Sequence, residues 1–299
     1  MITFLKKGLI LKSRSVKWNK DYTWVPTAYK INNQQAIVFF ARRDFNNESD
    51  TGYFIFDVVK EKVIKISKKP ILRRGPLGSF DDSAAIASQI LKIGNKYFLY
   101  YVGWTRGLKV PYFSSIGLAI SNKIIGPYKK IHNAPIISQS KENPYFVATC
   151  FVKKDKNYRM YLTSNTEWKK KKKVSTPRYL IKSSISNDGI KWKHEDSQVL
   201  GFQNKNETAI TRPWIIKYNN KDIMFFSLKK KQYKIETAIY KNKKWVRKKM
   251  FKFSNSGMKF KFDSESQEYS TILQFKDKFV MFYNGNNYGK DGIGYAVST

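Results

Sequence analysis

Ser115-Ile116-Gly117-Leu118-Ala119-Ile120-Ser121 is an apolar run bounded by serines, short enough to read as a single strand. Similar phrases return as Leu180-Ile181-Lys182-Ser183-Ser184-Ile185-Ser186, Lys234-Ile235-Glu236-Thr237-Ala238-Ile239-Tyr240 and Ile293-Gly294-Tyr295-Ala296-Val297-Ser298. Gly52-Tyr53-Phe54-Ile55-Phe56-Asp57-Val58 is a weaker fifth copy. Counted from Val58, the copies end 63, 65, 54 and 58 residues apart (121 − 58, 186 − 121, 240 − 186, 298 − 240). A period of this size with only strand-like segments inside it means a propeller or an array.

Working outward from the phrase, each unit repeats one plan. An apolar first strand (86–93, 147–153, 210–218, 269–275) turns at polar residues such as Gly94-Asn95-Lys96 or Asn219-Asn220-Lys221. An aromatic second strand follows (37–40, 97–102, 158–163, 223–227, 279–283), then a longer loop, then the phrase as third strand. A fourth, amphipathic strand closes the unit (62–66, 127–131, 190–195, 244–251). The fifth unit stops at Thr299 after its third strand, and a segment near the N-terminus can supply the missing one. The expectation is an all-β, five-bladed β-propeller in one domain, 1–299. Its blades fall at about 20–70, 80–137, 142–200, 206–253 and 263–299, the last closed by an N-terminal strand at 4–18.

Composition fits that class. Nineteen Tyr and 21 Phe favour sheets, and 299 residues can bury a large core. The formal charge, 57 − 22 = +35, suits an anionic partner, although Lys that simply faces water explains much of it equally well. The single cysteine, Cys150, lies in an apolar run and reads as a buried thiol rather than a nucleophile. His132 and His194 lack metal-ligand spacing, so no metal and no cofactor is expected. No segment has the h-region of a signal peptide or the ~20 apolar residues of a membrane helix, which predicts a cytoplasmic protein. Peripheral association with a membrane is compatible with the charge.

In a four-stranded blade the start of strand one and the loop from strand two to three share a face, and here those loops are long and chemically loaded. They hold Arg42-Arg43-Asp44, Trp104 through Tyr112, Trp168 with Lys169–Lys173, and Asn284-Gly285-Asn286. Aligning second strands places Asp21, Asp82, Asn143 and Glu207 at one point before strand one, with Asp263, Glu265 and Glu268 near it in the last blade. Carboxylates ringing a central pocket suit glycosidic chemistry, one protonating a leaving oxygen and another acting as base or nucleophile. In Gly78-Ser79-Phe80-Asp81-Asp82-Ser83 the plain alternative is a turn, with Asp81 or Asp82 bonding its own backbone. Arg212, inside a first strand, would place a fixed charge at the channel, and Trp104, Tyr112 and Trp168 would offer stacking faces.

With Gly78–Ser83, Tyr100-Tyr101-Val102-Gly103-Trp104, Ser186-Asn187-Asp188-Gly189-Ile190-Lys191-Trp192 and Tyr283-Asn284-Gly285-Asn286, the chain resembles the five-bladed propeller glycoside hydrolases of the β-fructosidase and arabinanase clan. It is most similar to hydrolase-like propeller proteins of bacterial surface-polysaccharide gene clusters. The resemblance covers about residues 20–299 and implies an axial triad of base or nucleophile, pKa-modulating Asp and general-acid Glu. By position it points to Asp82 and Glu207, with Glu207 as the acid; Asp21 or Asp44 would fill the first-blade position, and Glu268 is a further candidate. Arg43, Asp81, Trp104, Tyr112, Trp168, Arg212, Tyr269, Asn284 and Asn286 are the candidate substrate contacts. The expected function is an enzyme acting on a glycosidic or sugar-phosphate linkage, hydrolase or transferase, in surface glycan biosynthesis. Its basic rim would take a phosphorylated or nucleotide-linked sugar. A non-catalytic carbohydrate-binding propeller is the alternative, and a polyanion or nucleic-acid binder ranks last.

Overall fold

The computed structural model describes the chain except residues 16, 17, 19, 20 and 255–259 and the side chains of 196 and 197. It is all-β, in antiparallel meanders. The first is β2 (Tyr22–Lys30), β3 (Gln35–Arg43), β4 (Ser49–Asp57) and β5 (Lys62–Ile66). The second is β6 (Ala84–Ile93), β7 (Lys96–Arg106), β8 (Tyr112–Ser121) and the short β9 (Lys129–Lys130). The third is β10 (Val147–Lys154), β11 (Tyr158–Lys171), β12 (Val174–Ser186) and β13 (Lys193–Leu200). Next come β14 (Ala209–Tyr218), β15 (Lys221–Lys229), β16 (Tyr233–Lys241) and β17 (Lys244–Arg247). Last are β19 (Glu268–Gln274), β20 (Phe279–Asn284) and β21 (Gly292–Ser298), with β1 (Ile2–Lys12) antiparallel beside β21.

The fourth strands expected at 127–131 and 190–195 lie at Lys129–Lys130 and Lys193–Leu200, and two further differences change how strands pair. The N-terminal strand spans Ile2–Lys12, not 4–18, because a turn with Arg14 at φ 63° ends it; the expected strand's residues 16 and 17 lie outside the described residues. The strand expected at 244–251 breaks in two. After β17 the amide of Met250 donates to Thr237 Oγ1 (2.9 Å), and β18 (Phe251–Ser254) leaves to lie parallel to β1.

Alternation on the second strands builds the core. Ile37 and Phe39 pack with Leu99 and Tyr101 of the next meander, while Val38 and Phe40 turn to the opposite side and meet Val280 and Phe282 of the last. Phe98 and Tyr100 meet Cys150 and Met160; Tyr161 meets Met224 and Phe226; Phe225 meets Met281 and Tyr283. Each of these five clusters thus lies between consecutive meanders, while a sixth, with Trp24, Ile86 and Tyr269, draws on the first, second and last. The first strands touch in the same order, β2 to β6, β10, β14 and β19, and β19 touches β2. Among the described residues no helix is long and apolar enough to cross a membrane.

The repeated phrase has a packing reason. In β8 a Cβ on Gly117 would lie 2.3 Å from Tyr101 Cζ, so only glycine leaves room for that ring. Tyr101 Oη then donates to Asp81 Oδ2 (2.9 Å), which also pairs with Lys130 of β9. In the last meander Gly294, Tyr283, Asp263 and Lys6 repeat the set, with Tyr283 Oη on Asp263 Oδ2 at 2.7 Å and Lys6 Nζ at 2.7 Å.

Candidate functional site

Every first strand carries a register shift in its opening half: between Trp24 and Thr27, Ala87 and Gln89, Val147 and Cys150, Thr211 and Trp214, and Glu268 and Thr271. Val25, Arg212 and Tyr269 occupy three of these bulges at φ 50°, 55° and 55°. Left-handed backbone costs a non-glycine residue about 1 kcal/mol or more, most for the β-branched Val25. Bulges re-aim side chains, and here they surround a cavity of about 770 Å³.

The cavity wall is aromatic. Trp24, Trp104, Tyr112, Phe146 and Tyr179 follow one another with ring centroids 5.7, 5.3, 5.4 and 6.0 Å apart, and Tyr269 joins Trp24 at 6.2 Å. Thr149, Thr163 and Thr211 also line it, their hydroxyls in a mutual triangle at 2.9–3.0 Å. The charged lining is all basic: Arg43, Arg106, Lys169, Arg178, Lys205, Lys229 and Lys230. Among the described residues no carboxylate lines it. Lys229 donates to Tyr288 Oη (3.0 Å) and lies over the rings of Tyr233 and Tyr288; Arg43 lies over Trp24. Such a wall presents π faces to a sugar ring and positive charge to phosphate.

Of the expected contacts, Arg43, Trp104, Tyr112 and Tyr269 meet in this cavity, and Trp168 packs behind Tyr112 and Phe146. Arg212 is fully buried and does not line it. Its Nη1 donates to the Ser88 carbonyl (2.6 Å), and Nη2 to the Pro26 carbonyl (2.6 Å) and Thr27 Oγ1 (2.8 Å). Its backbone amide donates to Thr149 Oγ1 (3.1 Å), so one residue of β14 stitches β2, β6 and β10 together. Burial lowers its pKa to about 10, which leaves the guanidinium charged at neutral pH.

The aligned carboxylates have a different geometry from a ring around a pocket. Asp81, Glu207 and Asp263 each reach a cation on the fourth strand: Lys130, Arg247 (2.8 Å) and Lys6. Those cations stand opposite Ala119, Ala238 and Ala296, equivalent positions of the repeated phrase. In the third meander a neutral pair takes over, Asn143 Nδ2 donating to His194 Nδ1 (3.3 Å) with His194 opposite Ser184. In the first, Trp18 Nε1 donates to the Ser67 carbonyl (2.9 Å). Of the positions aligned in the sequence, Asn143 and Glu207 fall on this tether from lead-in to outer strand; in the second meander it is Asp81, one residue before the aligned Asp82, and Asp21 pairs with Arg14 instead. Burial pushes the Glu207 carboxyl up, but hydrogen bonds from Arg247 and the Gln203 amide, with the Arg247 charge, outweigh it and hold the group below its usual range. That is the reverse of what a general acid needs.

The other candidates also serve local structure. Burial raises the Asp82 carboxyl, but bonds from Ser83, Thr105 and the Gly78 amide, with Arg106 nearby, leave it lowered, a loop-stabilising carboxylate. Asp44 accepts from the amides of Asn46 and Glu48, both at 3.0 Å, and pairs with Arg42. Asp21 faces the exposed Arg14 at 3.6 Å. Asn284 accepts from the Val25 amide (2.8 Å) and donates to the Thr23 and Gly292 carbonyls, joining β20 to β2. Asn286 accepts from the amides of Glu265 and Ser266 and donates to the Lys261 carbonyl, tying its loop to the segment ahead of β19.

Glu268 is the exception. It lies immediately behind the lining residues Tyr269 and Tyr288, its Oε1 accepting from the Tyr288 amide (3.0 Å) and from Ser266 Oγ (3.5 Å). Burial pushes its pKa up to about 8, so it is a neutral acid at pH 7. Cys150 is buried, and its thiol is pushed up to about 12, an inert core group. Among the described residues no cluster of three or more His, Cys, Asp or Glu is placed to hold a metal ion.

Sequence reasoning did not single out Trp24, Phe146, Arg178, Tyr179, Lys205 or the threonine triangle. Most of these stand inside strands, where an aromatic or a threonine reads as packing; Thr149 and Thr211, at matching positions of two first strands, were the available signal.

No family model matches the chain. An uncharacterized protein of Mycobacterium tuberculosis, Rv1502, is 27% identical over 287 residues, covering 95% of each protein. Among solved structures, BT0996 in an RGII complex superposes with a TM-score of 0.76 at 14% identity, over 99% of this protein and 91% of that one. A structure from the GH130 family of mannoside phosphorylases, described as containing glycoside hydrolases that target β-1,2 mannosidic linkages in Candida mannan, gives 0.72 at 13% identity, over 98% and 93%. The endo-arabinase of Bacteroides thetaiotaomicron gives 0.65 at 12%, over 97% and 96%. The protein therefore has the all-β fold of the glycoside-hydrolase-like propellers.

Proposed function

We propose that the five meanders are the blades of one closed propeller and that its cavity takes an anionic sugar, phosphorylated or nucleotide-linked, as a carbohydrate-active enzyme of surface glycan biosynthesis. Support for closure comes from the cyclic order of first-strand contacts and from the Lys6–Asp263 tether. One observation carries the ligand: aromatic faces and seven basic side chains line the cavity without a lining carboxylate among the described residues. A neutral oligosaccharide would leave that charge unused.

The absent lining carboxylates weigh against a two-carboxylate hydrolysis, which needs acidic groups on both sides of the bond. Glycosyl transfer to a phosphate or hydroxyl acceptor asks less of the protein. The leaving oxygen would take the proton that the acceptor's O–H gives up, and Glu268, buried behind the wall, would hold Tyr288 through its amide. The structural neighbours described as phosphorylases and hydrolases belong to the same broad chemistry. The same lining favours a second reading, a sugar-binding propeller without turnover. A cytoplasmic setting goes with either.

Calorimetric titration with sugar 1-phosphates, nucleotide-sugars and neutral oligosaccharides tests the ligand. The expected result is binding of phosphorylated sugars, weakened about tenfold or more in Lys229→Ala and Arg43→Ala, since charge-assisted bonds are worth roughly 1.5–3 kcal/mol. Equal binding of the neutral sugars, or none of either, overturns it. Release of the leaving group that requires an added acceptor identifies the enzyme.

A further inference from the structure

The rim of the cavity carries apolar side chains that fold stability does not explain. Leu108 is fully exposed, Leu77 99%, Phe45 82% and Val174 63%. Isolated exposed apolar residues are ordinary, but these four stand at the tips of adjoining loops. The Arg106 guanidinium donates to the Asn46 carbonyl, Arg74 pairs with Glu48, and Ser175 Oγ donates to the Lys109 carbonyl (3.3 Å). Loops 44–48, 73–79, 107–111 and the β11–β12 hairpin thereby form one ridge. Asn47, Arg106, Pro111 and Lys169 of the same segments line the cavity, so the ridge is part of its mouth.

The charge beside the tips is positive. Arg73, Lys109 and the hairpin run Lys169–Lys173 are exposed, while Asp44 and Glu48 are already paired with Arg42 and Arg74. Apolar tips set among lysines match a surface with anionic headgroups above acyl chains. The tips enter the boundary, and the lysine stems reach back to the phosphates. We propose that this ridge docks the protein onto an anionic lipid bilayer with the cavity mouth turned toward the headgroups. A glycan carried on a membrane lipid would then meet the cavity without leaving the bilayer. The docking stands on the ridge residues alone and does not depend on which sugar the cavity takes.

The experiment is co-sedimentation of the full chain with phosphatidylcholine vesicles, with and without phosphatidylglycerol. A combined Phe45→Ser, Leu77→Ser, Leu108→Ser and Val174→Ser variant is compared with Val59→Ser, which lies in the β4–β5 turn away from the ridge and is 69% exposed. The expected outcome is binding to phosphatidylglycerol vesicles that the ridge variant weakens about tenfold or more and Val59→Ser does not. Unchanged melting of the ridge variant shows that it folds. Failure of the wild type to sediment overturns the docking. So does equal binding by the ridge variant, which would mean diffuse polycation attraction and would be matched by heparin or RNA.

Discussion

Lys6 and Asp263, near opposite ends of the chain, meet with Nζ and Oδ2 2.7 Å apart, and both side chains are buried. The pair copies Lys130 with Asp81, down to the tyrosine that donates to each carboxylate and the alanine opposite each lysine. β1 thus occupies in the last meander the place that β9 holds in the second. A strand from the start of the chain has taken over the tether of its end.

Asp263→Asn or Lys6→Met should therefore cost about 3 kcal/mol, because removing one partner strands a buried charge. The double substitution should cost less than the sum of the two. Urea unfolding of the three variants measures this, and additive effects would show that the pair is not coupled.

Glu207→Gln separates tether from catalysis. With Glu207 bonded to Arg247 and 2% exposed, the change should destabilise by roughly 2–3 kcal/mol while leaving sugar binding and any turnover within about twofold. A loss of turnover by orders of magnitude at unchanged stability would return Glu207 to the role of acid.

The period and the strand order were legible because they are local: alternation, turn residues and a phrase that recurs; the lead-in carboxylates were legible only to within a residue, since Asp81 and not the aligned Asp82 makes the tether. What those carboxylates do was not, since Asp81, Glu207 and Asp263 are answered by cations on another strand, in one case at the far end of the chain. The cavity was legible where its residues sit in chemically loaded loops or open a strand, as Arg43, Trp104, Tyr112 and Tyr269 do. Thr149 and Thr163 alternate like any sheet residue, Phe146 stands just ahead of its strand, and only the folded arrangement of different strands brings them to one place. Arg212 was legible as an unusual charge, but its partners are carbonyls of other strands, which no side-chain pattern announces.

Arg212→Met should lower stability by roughly 3 kcal/mol with no ligand present, since the Ser88 and Pro26 carbonyls and Thr27 lose their donor. Arg212→Lys should recover little of it, because one ammonium cannot present the two-armed fork that spans β2 and β6. Thermal unfolding in the absence of sugar reads both. Normal melting with lost phosphosugar binding would instead make Arg212 a ligand contact.

Glu268 makes stability fall on the alkaline side. Its pKa is about 8 in the folded protein against an ordinary 4.5, so the native state holds a proton that the unfolded chain releases. Nothing is lost below pH 4.5. Between 4.5 and 8 the unfolded state gains increasingly by ionising, and above 8 the native group ionises too and the loss levels off. The full difference is on the order of 5 kcal/mol by pH 9. Glu268→Gln keeps the neutral shape without the proton, so its unfolding free energy should lack this decline and exceed the wild type's at pH 9. Urea titrations of both proteins from pH 5 to 9 decide the point; parallel profiles would mean that Glu268 is already ionised at neutral pH.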